Sequence, residues 1–128
     1  HKNNLGDTLS LLSHVGGREL AAMAGAIWQA RSQRVPVILD GYVVTAAAAT
    51  LTLTSKDSLE HCIAGHLSVE IGHKKLLEFL GMKPLLDLGM RLGEGSGAQV
   101  ALAVVRCAVA TFSGMATFEE AMVATKEK

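Results

Sequence analysis

Val35-Pro36-Val37-Ile38-Leu39, closed by Asp40-Gly41, is the stretch whose reading decides the fold. A short unbroken apolar run of β-formers between polar neighbours has the pattern of a strand buried on both faces, as in parallel sheets. Before it, Arg18 to Gln33 spaces Leu20, Met23, Ala24, Ile27 and Trp28 along one helical face. After it, Val43 to Leu53 reads as a second helix and Ser55-Lys56-Asp57 as a polar turn. Farther along, Cys62-Ile63-Ala64 within His61 to Leu67 is a second candidate strand. Glu70 to Leu80 has helical spacing at Ile71, Leu76, Leu77 and Leu80, with Gly81 as its C-terminal cap. Pro84 to Leu88 is a short extended run, Gly89 to Gly97 a loop and Ala98 to Phe112 an apolar helix. Met115 to Val123 is expected to add a last amphipathic turn or two, capped by Thr117 with Glu120 three residues on. Towards the N-terminus, Asp7 or Thr8 caps a short helix carrying Leu9, Leu11, Leu12 and Val15, which Gly16-Gly17 is expected to stop. His1 to Gly6 reads as a loose lead-in and Lys126-Glu127-Lys128 as a solvated tail.

Strand alternating with helix is the order of an α/β unit, and 128 residues make one domain, residues 1–128. The composition, 49% apolar and 19% charged, is that of a folded chain. The charged share is thin for an isolated surface and points to a buried partner surface. A net charge of zero gives no basic excess for nucleic acid or an anionic membrane. No uninterrupted apolar run reaches about 18 residues, and Val43 to Leu53 is too short to span a membrane. Cys62 and Cys107 sit in apolar surroundings and form no disulfide framework, which fits a reducing, cytoplasmic compartment. The start at His1 reads as a cut, with no signal-peptide pattern.

In open parallel sheets the loops at the carboxyl ends of the strands build the ligand site. Three segments fall there: Asp40-Gly41, His66-Leu67-Ser68 and Arg91 to Gly97. In the last, Gly93-Glu94-Gly95-Ser96-Gly97, glycines flank a single carboxylate directly before a helix. That pattern permits a sharp turn or a close backbone approach to a ligand. Glu94 then reads either as a general base beside an anion held at the helix start, or as a glutamate favoured by the helix dipole. Ser68 reads either as a phosphate contact or as the N-cap of the following helix. Asp40 reads either as a ligand to a ribose or base, or as a helix cap. Val15-Gly16-Gly17-Arg18 has the spacing of neither a dinucleotide fingerprint nor a P-loop. Cys62, His66 and His73 match no compact zinc pattern, and no metal or cofactor is expected. Ser13 and His14 lack a partner acid, which argues against nucleophilic catalysis. The methionines and Trp28, at helical spacing, read as core.

Four segments together resemble one family. They are Val15-Gly16-Gly17-Arg18-Glu19-Leu20-Ala21-Ala22-Met23-Ala24-Gly25, Val37-Ile38-Leu39-Asp40-Gly41-Tyr42, Gly65-His66-Leu67-Ser68-Val69-Glu70-Ile71-Gly72-His73 and Pro84 to Ala98, which contains Arg91-Leu92-Gly93-Glu94-Gly95-Ser96-Gly97. In order and spacing they resemble the C-terminal part of nicotinate-nucleotide–dimethylbenzimidazole phosphoribosyltransferases. The resemblance implies a Rossmann-like, three-layer unit with helices around a small parallel sheet, incomplete relative to the family's full domain. It implies transfer of ribosyl phosphate from nicotinate mononucleotide to 5,6-dimethylbenzimidazole, in synthesis of the cobalamin lower ligand. Glu94 would be the catalytic base. Leu92 would line the base pocket, with Gly93 beside it. Ser68 and the Val69 backbone would meet the phosphate, and Asp40, Gly16 and Gly17 would lie in neighbouring substrate loops. A homodimer is expected, or association with an N-terminal half that would carry a second glutamate and a phosphate loop. The alternative is a catalytically incomplete remnant that acts as a nucleotide-binding, base-binding or interaction module.

Overall fold

The computed structural model describes residues 6–124. The expected tail at Lys126-Glu127-Lys128 and most of the lead-in lie outside the described residues. Helix α1, Thr8–Leu11, starts at Asp7, whose carboxylate accepts the Ser10 N–H at 3.0 Å. The Ser10 amide holds that carboxyl below the ordinary aspartate range. Gly16-Gly17 does not stop the chain. Leu12–Gly16 continues as a π-turn, Gly17 turns with φ of 73°, and α2, Gly17–Ser32, begins at once. A glycine with positive φ can redirect a helix as well as end one. At its far end α2 closes through Arg34 at φ 58°. The Arg34 N–H bonds Arg31 C=O and the Val35 N–H bonds Ala30 C=O, the paired bonds of a left-handed helix stop.

That stop hands the chain to β1, Val37–Leu39, which is two residues shorter than the sequence pattern. Helix α3 is Tyr42–Thr50, tightening to a 3₁₀ turn over Leu51–Leu53. Strand β2, Cys62–Ala64, pairs parallel with β1 in the register Val37 to Cys62, Ile38 to Ile63 and Leu39 to Ala64. The extended run at Leu85-Leu86 continues the sheet on the far side of β2. Leu85 N–H bonds Ala64 C=O, Leu86 N–H bonds Gly65 C=O, and Leu67 N–H returns to Leu86 C=O. The unit is therefore helix-rich around a small parallel sheet, an incomplete α/β arrangement.

Ala24 and Ile27 of α2, Leu39 of β1, Ala48 of α3 and Leu51 form the buried core. The alanines of α3 let α2 and α3 approach closely. Helix α4, Ile71–Leu80, ends at Gly81 with φ of 66°, the expected left-handed cap. Helix α5, Ser96–Gly114, buries only Gly97 and Ala101, leaving Val100, Val104, Val109 and Phe112 exposed. At 19 residues, with a mean hydropathy of 1.4 over an 18-residue stretch, it is long and apolar enough to cross a membrane by length and composition alone. Arg106 interrupts the apolar run within it. Cys62 is half-buried, but Cys107 lies exposed on α5, not in apolar surroundings. Trp28 is 43% exposed, so it is not core. Met115 to Val123 goes no further than the expected turn or two, in which Thr117 and Glu120 make both bonds of a capping box and the Ala121 N–H bonds Thr117 C=O. A box satisfies two donors, but this segment packs no apolar face, and packing is what stabilises so short a helix.

Candidate active site

A cleft of about 360 Å³ opens where β1 and β2 deliver the chain to their following loops. Asp40, Gly41, His66, Ser68, Gly93 and Glu94 all line it, so the three segments placed at strand ends by the sequence do converge.

The Glu94 loop is built from three consecutive left-handed residues: Gly93 at φ 78°, Glu94 at 54° and Gly95 at 75°. Left-handed backbone is cheap for glycine and costs about 1 kcal/mol for other residues. Glycine on both sides lets the turn form, and Glu94 carries the strain at an exposed cleft wall. Such strain is a recurrent mark of functional positions.

Asp40 resolves its two readings in an unexpected way. Its Oδ1 accepts the Ala98 N–H at 2.8 Å, in the first turn of α5, 58 residues away. It caps a helix, but not the helix that follows β1, whose N-cap Gly41 has no side-chain bond. The same Oδ1 stands 3.8 Å from Nε2 of His66, which is 2% exposed. The His66 ring lies against Gly97, where a Cβ would fall 1.9 Å from Cδ2. Asp40, His66 and Gly97 thus fix the start of α5, and with it the Glu94 loop.

Ser68 is buried but is not the N-cap of α4; that position is Glu70, whose N–H bonds Ser68 Oγ at a long 3.5 Å. The Ser68 N–H donates to His73 Nδ1 at 3.0 Å, and the Val69 N–H donates to Met90 C=O at 3.3 Å. The amides around Ser68 are therefore engaged within the chain. His73, fully buried, also meets Thr45 Oγ1 at 3.1 Å. Burial, then the neighbouring His66, hold the His73 pKa below the ordinary histidine value, with Glu70 and Asp40 opposing weakly.

The remaining site expectations fare differently. Leu92 is 78% exposed and does not line the cleft. Gly16 and Gly17 stand apart from it. Gly17 lines a separate apolar groove of about 730 Å³ with Leu9, Leu12, Ala21 and Trp28. The cleft instead gains Tyr42, Glu70 and Arg91, adjacent in sequence to residues already singled out. Arg91 is the only lysine or arginine among the residues lining the cleft. Among the described residues, no three His, Cys, Asp or Glu side chains stand together as a metal site.

Comparison with known proteins gives the setting. Residues 1–123 match a protein family described as phosphoribosyltransferase. The nicotinate-nucleotide–dimethylbenzimidazole phosphoribosyltransferase of Methylocella silvestris is 59% identical over 126 residues, 98% of this chain and 37% of that protein. The enzyme of the same name from Brucella anthropi is 55% identical over 121 residues, 94% of this chain and 36% of that protein. A crystal structure of the Thermus thermophilus enzyme superposes with a TM-score of 0.84 at 44% identity, covering 92% of this chain and 36% of that one. The chain thus spans a little over a third of the length of the relatives it matches. With 123 of its residues matched and the fold superposed, this chain belongs to the phosphoribosyltransferase family.

Proposed function

We propose that this chain is the C-terminal part of a nicotinate-nucleotide–dimethylbenzimidazole phosphoribosyltransferase and carries its general base. The observation that supports this best is the convergence of Glu94, Ser68 and Asp40 on one cleft at the carboxyl ends of parallel strands. In this reading one nitrogen of dimethylbenzimidazole attacks the anomeric carbon of nicotinate mononucleotide. The bond to nicotinate breaks, and Glu94 takes the proton from the second benzimidazole nitrogen. The products are α-ribazole 5′-phosphate and nicotinate. Ser68 Oγ–H donates to the phosphate, and Arg91 balances its charge against Asp40, Glu70 and Glu94. Asp40 serves first as the strut that holds α5. Leu92, Gly16 and Gly17 retain a role only through surfaces completed by the rest of a longer enzyme.

The exposed face of α5 and the groove at α1 and α2 are the surfaces such a remainder, or a second copy, would cover. The two free cysteines fit a reducing cytoplasm. The second reading is a binding or interaction module without turnover.

Calorimetric titration with nicotinate mononucleotide and, separately, with dimethylbenzimidazole tests the first reading. Binding that weakens on Ser68→Ala supports it, as does loss of turnover on Glu94→Gln when the substitution is carried in a full-length relative. Wild-type turnover by Glu94→Gln in that setting would refute the role of Glu94. Turnover by this chain alone would refute the binding-module reading.

A further inference from the structure

We propose that His73 is a positioning residue whose Nδ1 holds the Ser68 loop through the Ser68 N–H, and so sets the affinity of the cleft for a phosphate-bearing ligand. The inference rests on the reading of Ser68 as a phosphate contact.

The hydrogens along this path can all be assigned. The Ser68 N–H donates to His73 Nδ1 at 3.0 Å, so Nδ1 carries no proton. In the neutral ring the proton is then on Nε2, which donates to Thr45 Oγ1 at 3.1 Å. The Thr45 hydroxyl passes its own hydrogen to Gly41 C=O at 2.7 Å. One unbranched chain of bonds therefore links the loop after β2 to the loop after β1, through side chains on α4 and α3. His73 and Thr45 are essentially inaccessible, at 0% and 1% exposure. Water cannot substitute for a missing link, and each lost partner leaves a buried polar group unpaired. A protonated ring would turn an Nδ1–H against the Ser68 N–H. Burial and His66 both disfavour that form.

A residue that only stabilised the fold would need no particular nitrogen. The clamp on Ser68 needs an acceptor at the Nδ1 position, and this separates the variants. His73→Asn places an amide oxygen near Nδ1 and keeps the acceptor for Ser68, while losing Thr45. His73→Gln reaches the Nε2 position and keeps Thr45, while releasing Ser68. The test is calorimetric titration of this chain and both variants with nicotinate mononucleotide, dimethylbenzimidazole and inorganic phosphate. Thermal unfolding confirms that each is folded. His73→Gln is expected to weaken nicotinate mononucleotide and phosphate binding about tenfold, the worth of one hydrogen bond to a charged oxygen. His73→Asn should stay within about twofold of wild type for both, and dimethylbenzimidazole affinity should be unchanged throughout. Equal affinities in the Asn and Gln variants, or parallel loss of all three ligands, would overturn the proposal. If either variant fails to fold, Thr45→Val replaces it. That variant releases the Gly41 side while keeping Ser68, and should match the binding expected for His73→Asn. Tenfold weaker phosphate binding by it would also overturn the proposal. Wild-type binding of phosphate without nicotinate mononucleotide would refute the functional reading alone, the clamp still being judged on phosphate. Binding of neither would refute the clamp as well, since no anion would then be positioned.

Discussion

Gly97→Ala gives the sharpest check on how the cleft is held. In a helix, glycine to alanine ordinarily stabilises by about 0.5–1 kcal/mol. At Gly97 the added methyl would lie 1.9 Å from Cδ2, 2.4 Å from Nε2 and 2.6 Å from Cγ of His66. That ring is 2% exposed and stands between Gly97 and the Asp40 carboxylate. Relief to an ordinary contact needs a shift of about 1.5 Å between α5 and the sheet, in an interior packed too tightly to yield without strain. Overpacking of this kind costs about 1–3 kcal/mol. A shift of that size also pulls the Ala98 N–H away from Asp40, and a lost helix cap costs about 0.5–2 kcal/mol. The net expectation is a loss of about 2 kcal/mol or more, opposite in sign to helix propensity. Urea unfolding followed by the fluorescence of Trp28, the single tryptophan, measures it. Gly25→Ala in α2 is the control: no atom lies within 4 Å of its Cβ position, so it should gain about 0.5–1 kcal/mol. Combining Gly97→Ala with His66→Ala should recover at least about 1 kcal/mol relative to additivity. A Gly97→Ala chain as stable as wild type would refute the packing argument, and additive effects in the double variant would show that the strain lies elsewhere.

Asp40→Ala should destabilise by about 0.5–2 kcal/mol in the same assay while Asp40→Asn, which keeps an acceptor for Ala98, should cost less than half as much. His73 has a folded pKa below 6.5, so the unfolded chain takes its proton more readily. Its contribution is fully present above about pH 6.5 and is lost as pH falls below that value, by at most about 1.4 kcal/mol per pH unit. His66, Glu70 and Asp40 face the same ring, so the test is the difference in pH slope between wild type and His73→Asn; equal slopes between pH 5 and 6.5 would refute it. Burial raises the Cys62 thiol to about 11, so at pH 8 iodoacetamide should label exposed Cys107 well before Cys62, as mass spectrometry of the digested chain would show.

Local chemistry alone determined the strands, most helix limits and the glycine stops. Val35 to Leu39 has the pattern of a buried strand, Cys62 to Ala64 is a candidate for a second, and Gly81 has the place of a left-handed cap. The glycines around Glu94 permit the sharp turn that forms there, and the three segments at strand ends all reach the cleft. What stayed illegible depends on contacts distant in the chain. Asp40 has the spacing of a local cap, but its partner is the Ala98 amide 58 residues on. His73 carries no motif, and only the fold places Ser68 against one nitrogen and Thr45 against the other. Gly16-Gly17 reads as a stop, yet the chain runs through a π-turn at Leu12–Gly16 directly into α2, away from the cleft. Thr117 and Glu120 spell a helix start that no neighbouring surface supports. Propensity and turn chemistry act over a few residues and are written in order along the chain. Caps, clamps and close approaches join residues that only the assembled core brings within about 3 Å, so the tertiary structure alone decided them.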